Sequence, residues 1–186
     1  MKTKDMMYVS MFAAIMCALG FLPPIVLPFT PVPITAQTLG VMLAGGVLGA
    51  RLGGLSLVIF LMIVAVGAPV LSGGRGGFSV LIGPSAGYLW SYPLAAFAIG
   101  YLTERLWDGL NLWKAFAINV LCGILLIYCA GVPVLAMITD ISLGKAAITA
   151  IAYIPGDLTK AFIAAYVAVK IKNLRPLIQK EKKVAA

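Results

Sequence analysis

Leu112-Trp-Lys-Ala-Phe-Ala-Ile-Asn-Val-Leu-Cys-Gly-Ile-Leu-Leu-Ile-Tyr-Cys-Ala130 is a nineteen-residue stretch carrying a single charge, Lys114. About 20 apolar residues in a helix cross the ~30 Å hydrocarbon core of a bilayer. Five further apolar runs surround it, at residues 6–22, 37–50, 55–71, 84–106 and 155–172. Over the 186 residues, 62% are hydrophobic, 11% are charged, and mean hydropathy is +1.05. Soluble domains average about 25% charged residues. There is too little polar surface here to clothe a globule in water. A soluble enzyme, a secreted disulfide scaffold and a disordered regulator are excluded. The expected fold is an all-α integral membrane protein, a six-transmembrane-helix bundle forming one domain over residues 1–186.

The connections have distinct characters. Residues 23–36 include five prolines and no charge, which forbids regular helix and suggests a loop dipping into the protein. Run 37–50 is short, and Arg51-Leu-Gly-Gly54 is read as the turn that returns the chain into run 55–71. Residues 72–83 form a glycine-rich loop before a helix expected from Pro84. The run from Leu112 is expected to stop at Gly131-Val-Pro133, and residues 131–154 form a third loop with a helical lid at 142–153. The N-terminal run, which has signal-peptide features, is read as the first membrane helix.

Charge orients this bundle. Eleven of the fourteen basic residues fall on one side if there are six spans: Lys2, Lys4, Arg51, Arg105, Lys114 and the tail residues Lys170, Lys172, Arg175, Lys180, Lys182 and Lys183. Only Arg75, Lys145 and Lys160 fall on the other. The positive-inside rule then places both termini in the cytoplasm. The loops at 23–36, 72–83 and 131–154 face outward.

Function classes narrow by elimination. Histidine is absent, and Cys17, Cys122 and Cys129 lie in apolar runs without metal-ligand spacing. Redox, zinc and histidine-based catalysis lose their usual participants, so neither a metal nor a cofactor is expected. No Gly-Lys-Ser/Thr follows a glycine-rich stretch, so ATP is not hydrolysed through a Walker A loop, and no repeat of the secondary-transporter kind is visible. Polar groups in the membrane are costly, which turns attention to the outward ones. Asp157 and Lys160 share a helix face at i,i+3; they form either a self-compensating pair or a ligand site. Arg75, flanked by two glycines on each side, is a solvated residue or a carboxylate receptor. Ser79, Ser85 and Tyr88, with Thr35 and Gln37 at the exit of the proline loop, read as caps or as pocket lining. Trp90 and Trp107 read as interface anchors. Ala14-x-x-x-Ala18 allows close helix approach, within the bundle or to a partner.

Three motifs carry a resemblance. Pro31-Val-Pro-Ile-Thr-Ala-Gln-Thr-Leu-Gly40, the segment Gly-Gly-Arg-Gly-Gly-Phe78 leading to Gly83-Pro-Ser-Ala-Gly-Tyr88, and Ile154-Pro-Gly-Asp-Leu-Thr-Lys160 together resemble the BioY family, biotin-binding S components of energy-coupling-factor (ECF) vitamin transporters. The resemblance runs through nearly the whole chain. It implies a six-helix membrane subunit of the bacterial cell membrane that captures biotin outside and is not an enzyme. A transmembrane coupling subunit and two cytoplasmic ATPases would drive uptake, with Ala14 and Ala18 facing the coupling subunit. Asp157 would accept from the ureido N–H groups and Lys160 would donate to a ligand oxygen. Arg75, Ser79 or loop amides would receive the tail carboxylate, while Thr35, Gln37, Ser85 and Tyr88 would line the pocket. The reversed orientation, with Lys160 on the carboxylate, stays open. Two other readings are a self-sufficient biotin facilitator or secondary transporter, solitary or oligomeric, and a membrane enzyme.

Overall fold

The computed structural model describes residues 3–28 and 30–174, with the side chains of residues 173 and 174 excepted. Among them are seven α-helices and no extended strand: α1 Thr3–Gly20, α2 Gln37–Leu48, α3 Ala50–Ala65, α4 Ala86–Arg105, α5 Leu112–Ile138, α6 Leu143–Ile151 and α7 Ile154–Leu174. The tail residues Arg175, Lys180, Lys182 and Lys183, together with Lys2, lie outside the described residues.

Helices α2 and α4 form the centre. The 12-residue α2 buries nearly its whole circumference, from Gln37 and Gly40 to Val47 and Leu48, as expected for a helix hydrophobic all round. Helices α1, α3, α4 and α7 pack around it. The outer surface is apolar: Phe21, Val66, Trp113, Met137 and Ile148 are each at least two-thirds exposed. In water such a surface would drive association. In lipid it is the correct exterior. Helix α5, 27 residues long with an 18-residue stretch of mean hydropathy 2.4, is long and apolar enough to cross a bilayer.

Four local readings change. The turn between α2 and α3 is the single residue Gly49, at φ 84°, and Arg51-Leu-Gly-Gly54 is helical. A left-handed backbone without a Cβ penalty reverses the chain in one step. Gly53 serves packing instead: a Cβ there would stand 2.7 Å from the Ala44 carbonyl oxygen. Helix α3 stops at Ala65, six residues before the apolar run does, because Val66-Gly-Ala-Pro69 ends it, with Gly67 at φ 101°. Helix α4 starts at Ala86, two residues after Pro84. Helix α5 continues through Gly131 and Pro133 to Ile138, so residues 131–138 are helix and not loop. Proline inside a helix is tolerated in apolar surroundings where neighbouring groups and local readjustment satisfy the freed carbonyl. The expected lid helix is present as α6, capped by the Ser142 hydroxyl, which accepts from the Lys145 amide at 3.4 Å.

One feature had no sequence signal. Asn119–Leu125, inside α5, is π-helical. Its first residue is buried and donates from Nδ2 to the Ala161 carbonyl of α7 at 3.0 Å.

Candidate functional site

The chain's polar groups converge at one end of the bundle. Gly20 meets Val70 there, and the beginnings of α2, α4 and α7 arrive together with the middle of α5, at Ile127 and Tyr128. The cleft they line encloses about 600 Å³ of non-atom space, its open mouth and the solvent there included. Apolar walls come from Val32, Leu71, Val80, Leu89 and Ile127.

Asp157 and Lys160 form one wall, in the first two turns of α7. The carboxylate is buried, with its side chain 6% exposed, and Lys160 Nζ is 2.7 Å from Oδ1. Thr38 Oγ1 donates to Oδ1 at 3.1 Å, and the Tyr128 hydroxyl donates to Oδ2 at 2.6 Å. Lys160 also donates to the Thr35 carbonyl at 2.6 Å and to Thr38 Oγ1 at 3.1 Å. A buried ion pair is tolerable only when its remaining valences are satisfied. Here all three ammonium protons and three of the roughly four carboxylate lone-pair sites are engaged.

The proline-rich segment forms another wall. Ile25 and Ile34 pair backbone to backbone at 3.0 and 2.9 Å, closing residues 25–34 into a loop. Tyr153, between α6 and α7, holds it down: its hydroxyl donates to the Val32 carbonyl at 2.8 Å and meets Thr30 Oγ1 at 2.6 Å. With its proton given to Val32, Tyr153 accepts from Thr30. Burial pushes the Tyr153 hydroxyl above its ordinary pKa, so it stays a donor.

Arg75 lines the same cleft from the glycine loop. Gly73, Gly74 and Gly77 adopt φ of 81°, 70° and 92°, which L side chains rarely take. The tight loop closes through Leu71 N to Arg75 O at 2.9 Å and Arg75 N to Leu71 O at 3.2 Å. Arg75 Nε donates to the Ser72 carbonyl at 3.2 Å. Among the described residues that is its only side-chain hydrogen bond, which leaves the terminal guanidinium nitrogens for a ligand.

Tyrosines fill the remaining wall. Tyr128 stands edge-to-face with Tyr88 and with Tyr153, at centroid separations of 6.3 and 6.4 Å. The Tyr88 ring lies directly on Gly131 of α5, where any Cβ would collide with it. Its hydroxyl is buried without a hydrogen-bond partner among the described residues, on a residue that lines the cleft. A buried orphan hydroxyl costs about 1–3 kcal/mol, and a bound ligand would satisfy it.

Of the residues expected at the site, Thr35, Gln37, Arg75, Ser85, Tyr88, Asp157 and Lys160 all line the cleft. Gln37 is also a scaffold residue, donating from Nε2 to the Val70 carbonyl at 3.2 Å and the Met16 carbonyl at 3.5 Å. Ser85 precedes α4 but its side chain makes no cap. Ser79 does not join them: it is exposed on the 3₁₀ turn Phe78–Leu81, where Val80 and not Ser79 lines the cleft. Phe78, on the same turn, is 62% exposed. Sequence reasoning missed Thr38, Tyr92 and Tyr128, all cleft residues, because a hydroxyl inside an apolar run has the same appearance whichever way it faces. Thr38 alone had a signal, three residues after Thr35 and next to Gln37. Trp90 donates to the Leu81 carbonyl at 2.9 Å and is 54% exposed. Trp107 lies at the other end, under Lys172, whose Nζ is 5.4 Å from its ring centroid. Ala14 and Ala18 are both exposed on α1, while the adjacent Ala13 is buried, so the small-residue face does not pack within the bundle.

An all-α membrane protein whose largely apolar cleft is lined by a buried ion pair and by a loop arginine has the build of a binding subunit for a small ligand. Comparison with known proteins gives the family. The BioY family model matches residues 1–177, and the chain belongs to that family. It is 50% identical over 171 residues to the probable biotin transporter BioY of Bacillus subtilis, covering 92% of this chain and 91% of that one. It is 45% identical to the biotin transporter BioY of Rhizobium etli, covering 96% and 98%. The crystal structure of the S-component for biotin from an ECF-type ABC transporter superposes with a TM-score of 0.87 at 34% identity, over 94% of both chains. The fold is therefore that of an ECF S component.

Proposed function

We propose that this chain is the high-affinity biotin-binding S component of an ECF transporter in the bacterial cell membrane. It captures biotin on the outward face and is not an enzyme. The observation that carries this reading is the Asp157–Lys160 pair, buried and bonded to Thr38 and Tyr128 at the wall of an apolar cleft. Six helices, α1–α5 and α7, span the bilayer, with α6 lying across the outer end and both termini cytoplasmic.

Biotin presents a ureido ring with two N–H donors and one acceptor, an apolar thiophane ring and a carboxylate tail. The one free lone-pair site of Asp157 takes a ureido N–H, and the Tyr88 hydroxyl gains its missing partner from the same ring. Lys160 reaches a ligand oxygen by releasing Thr38, since its three protons are already engaged. The thiophane ring packs on the tyrosines and the aliphatic wall. Arg75 receives the carboxylate with its free guanidinium nitrogens, a geometry that suits its planar fork.

Delivery needs energy that this chain does not generate. A transmembrane coupling subunit and two cytoplasmic ATPases supply it, and the exposed Ala14 and Ala18 of α1 offer the close-approach surface such a subunit requires. Biotin titration of the detergent-purified protein, with mass spectrometry of ligand carried through purification, tests the substrate. Asp157→Asn removes the charged acceptor and should weaken biotin by about 1.5–3 kcal/mol, roughly 10- to 150-fold. Unchanged affinity in that variant, or another vitamin in the purified protein, overturns the assignment.

A further inference from the structure

Tyr128 has no counterpart in the polar inventory that points to biotin, yet it makes a 2.6 Å contact to the Asp157 carboxylate. It comes from α5, the only helix among the described residues to reach the ion pair from outside the α2–α7 contact. The other donors to Asp157, Thr38 and Lys160, both go to Oδ1. Tyr128 alone holds Oδ2, the oxygen that retains a free lone pair.

Its aim depends on the π-helical segment Asn119–Leu125, which begins nine residues upstream. Successive residues of an α-helix are about 100° apart around the axis, so one residue accommodated in a widened turn rotates everything downstream by that amount. Without it, Tyr128 would be turned about 100° away from α7, and an apolar or thiol neighbour, Ile127 or Cys129, would replace its hydroxyl. Asn119 anchors the start of the segment to the Ala161 carbonyl, and Ala161 lies one turn beyond Asp157 on the same helix. Two polar contacts from α5 thus bracket the part of α7 that carries the site.

We propose that Tyr128 is a positioning residue. Its hydroxyl fixes the plane of the Asp157 carboxylate so that the remaining Oδ2 lone pair faces the ureido group, and the π turns of α5 set the direction from which it does so. This rests on the biotin reading of the site. The ring itself contributes separately, by its edge-to-face contacts with Tyr88 and Tyr153 and by standing between the cleft and an apolar groove below α6.

A double-mutant cycle separates hydroxyl from ring. Tyr128→Phe keeps the ring and its contacts and removes only the donor. Biotin affinity is measured for the wild type, Tyr128→Phe, Asp157→Asn and the double variant, on the monodisperse fraction of each so that a folding loss lowers yield and not affinity. Tyr128→Phe should cost about tenfold or more in the wild-type background, the scale of one hydrogen bond to a charged group, and less than about threefold once Asp157 is neutral. A loss of the same size in both backgrounds would show a packing role and overturn the proposal, as would Tyr128→Phe binding like the wild type. If Asp157→Asn also binds like the wild type, or the wild type binds no biotin, the reading of the site itself falls and takes this role with it.

Discussion

The two polar walls of the cleft are built in opposite ways. Asp157 and Lys160 sit on the first turns of a 21-residue helix and are bonded to residues from α2, α5 and the proline loop. Arg75 sits on a loop shaped by three left-handed glycines and makes one side-chain hydrogen bond among the described residues. The first wall is preorganised and the second is adjustable. A rigid bicyclic head with fixed donor directions calls for the former, because preorganised groups lose little freedom on binding. A carboxylate on a flexible tail needs only a cation that can reach it. The contrast supports the proposed direction of biotin in the cleft, head toward α7 and tail toward the glycine loop.

Lys160→Ala should break the comparison most severely. It leaves the 6%-exposed Asp157 side chain without its cation, and removing one member of a buried pair costs about 3–5 kcal/mol. The Thr35 carbonyl loses its 2.6 Å donor at the same time, so the wall and the proline loop loosen together. Thermal unfolding in detergent should show a clear fall in midpoint, and biotin binding should be lost. A variant as stable as the wild type would mean that the pair is not the structural base of the cleft.

Arg75→Ala should give a smaller and more selective effect. Its contacts within the protein are few, so stability should change little. Biotin affinity should fall about tenfold, the scale of a hydrogen bond to a charged group. Biotin methyl ester, which lacks the anionic tail, distinguishes the walls: its affinity should be insensitive to Arg75→Ala yet still fall in Asp157→Asn. The reverse pattern, with the ester insensitive to Asp157→Asn, would turn biotin round in the cleft.

The same contrast explains what could be read from the sequence. Asp157, Lys160 and Arg75 were legible because charge is scarce in an apolar chain and its placement is costly. The all-α fold was legible from the lengths of the apolar runs. Tyr128 was not, because its approach depends on a π-helical register and on how α5 passes α7, neither of which leaves a mark in hydropathy. The Gly49 turn was misplaced onto Arg51–Gly54 because four residues with two glycines and a charge read as a stronger break than one glycine. The stop at Gly131–Pro133 failed for a related reason: Gly131 is there to admit the Tyr88 ring, and an apolar environment carries the helix past Pro133.

Ser79→Ala should have the smallest effect, and its value lies in that. The sequence places Ser79 four residues after Arg75, beside the expected carboxylate site, and composition alone gives no reason to separate them. The structure separates them through Gly77, whose φ of 92° turns the chain into the 3₁₀ segment. That turn leaves Ser79 exposed while Val80 lines the cleft. The substitution removes a hydroxyl from an exposed position on an adjustable wall. Biotin affinity should stay within about twofold of the wild type, as surface changes away from special features move energies by ~0.5 kcal/mol or less. A tenfold loss would mean that the glycine loop refolds around the carboxylate and brings Ser79 inward. The wall would then be more adjustable than its one arginine suggests, with the loop backbone and not only the guanidinium forming the receptor.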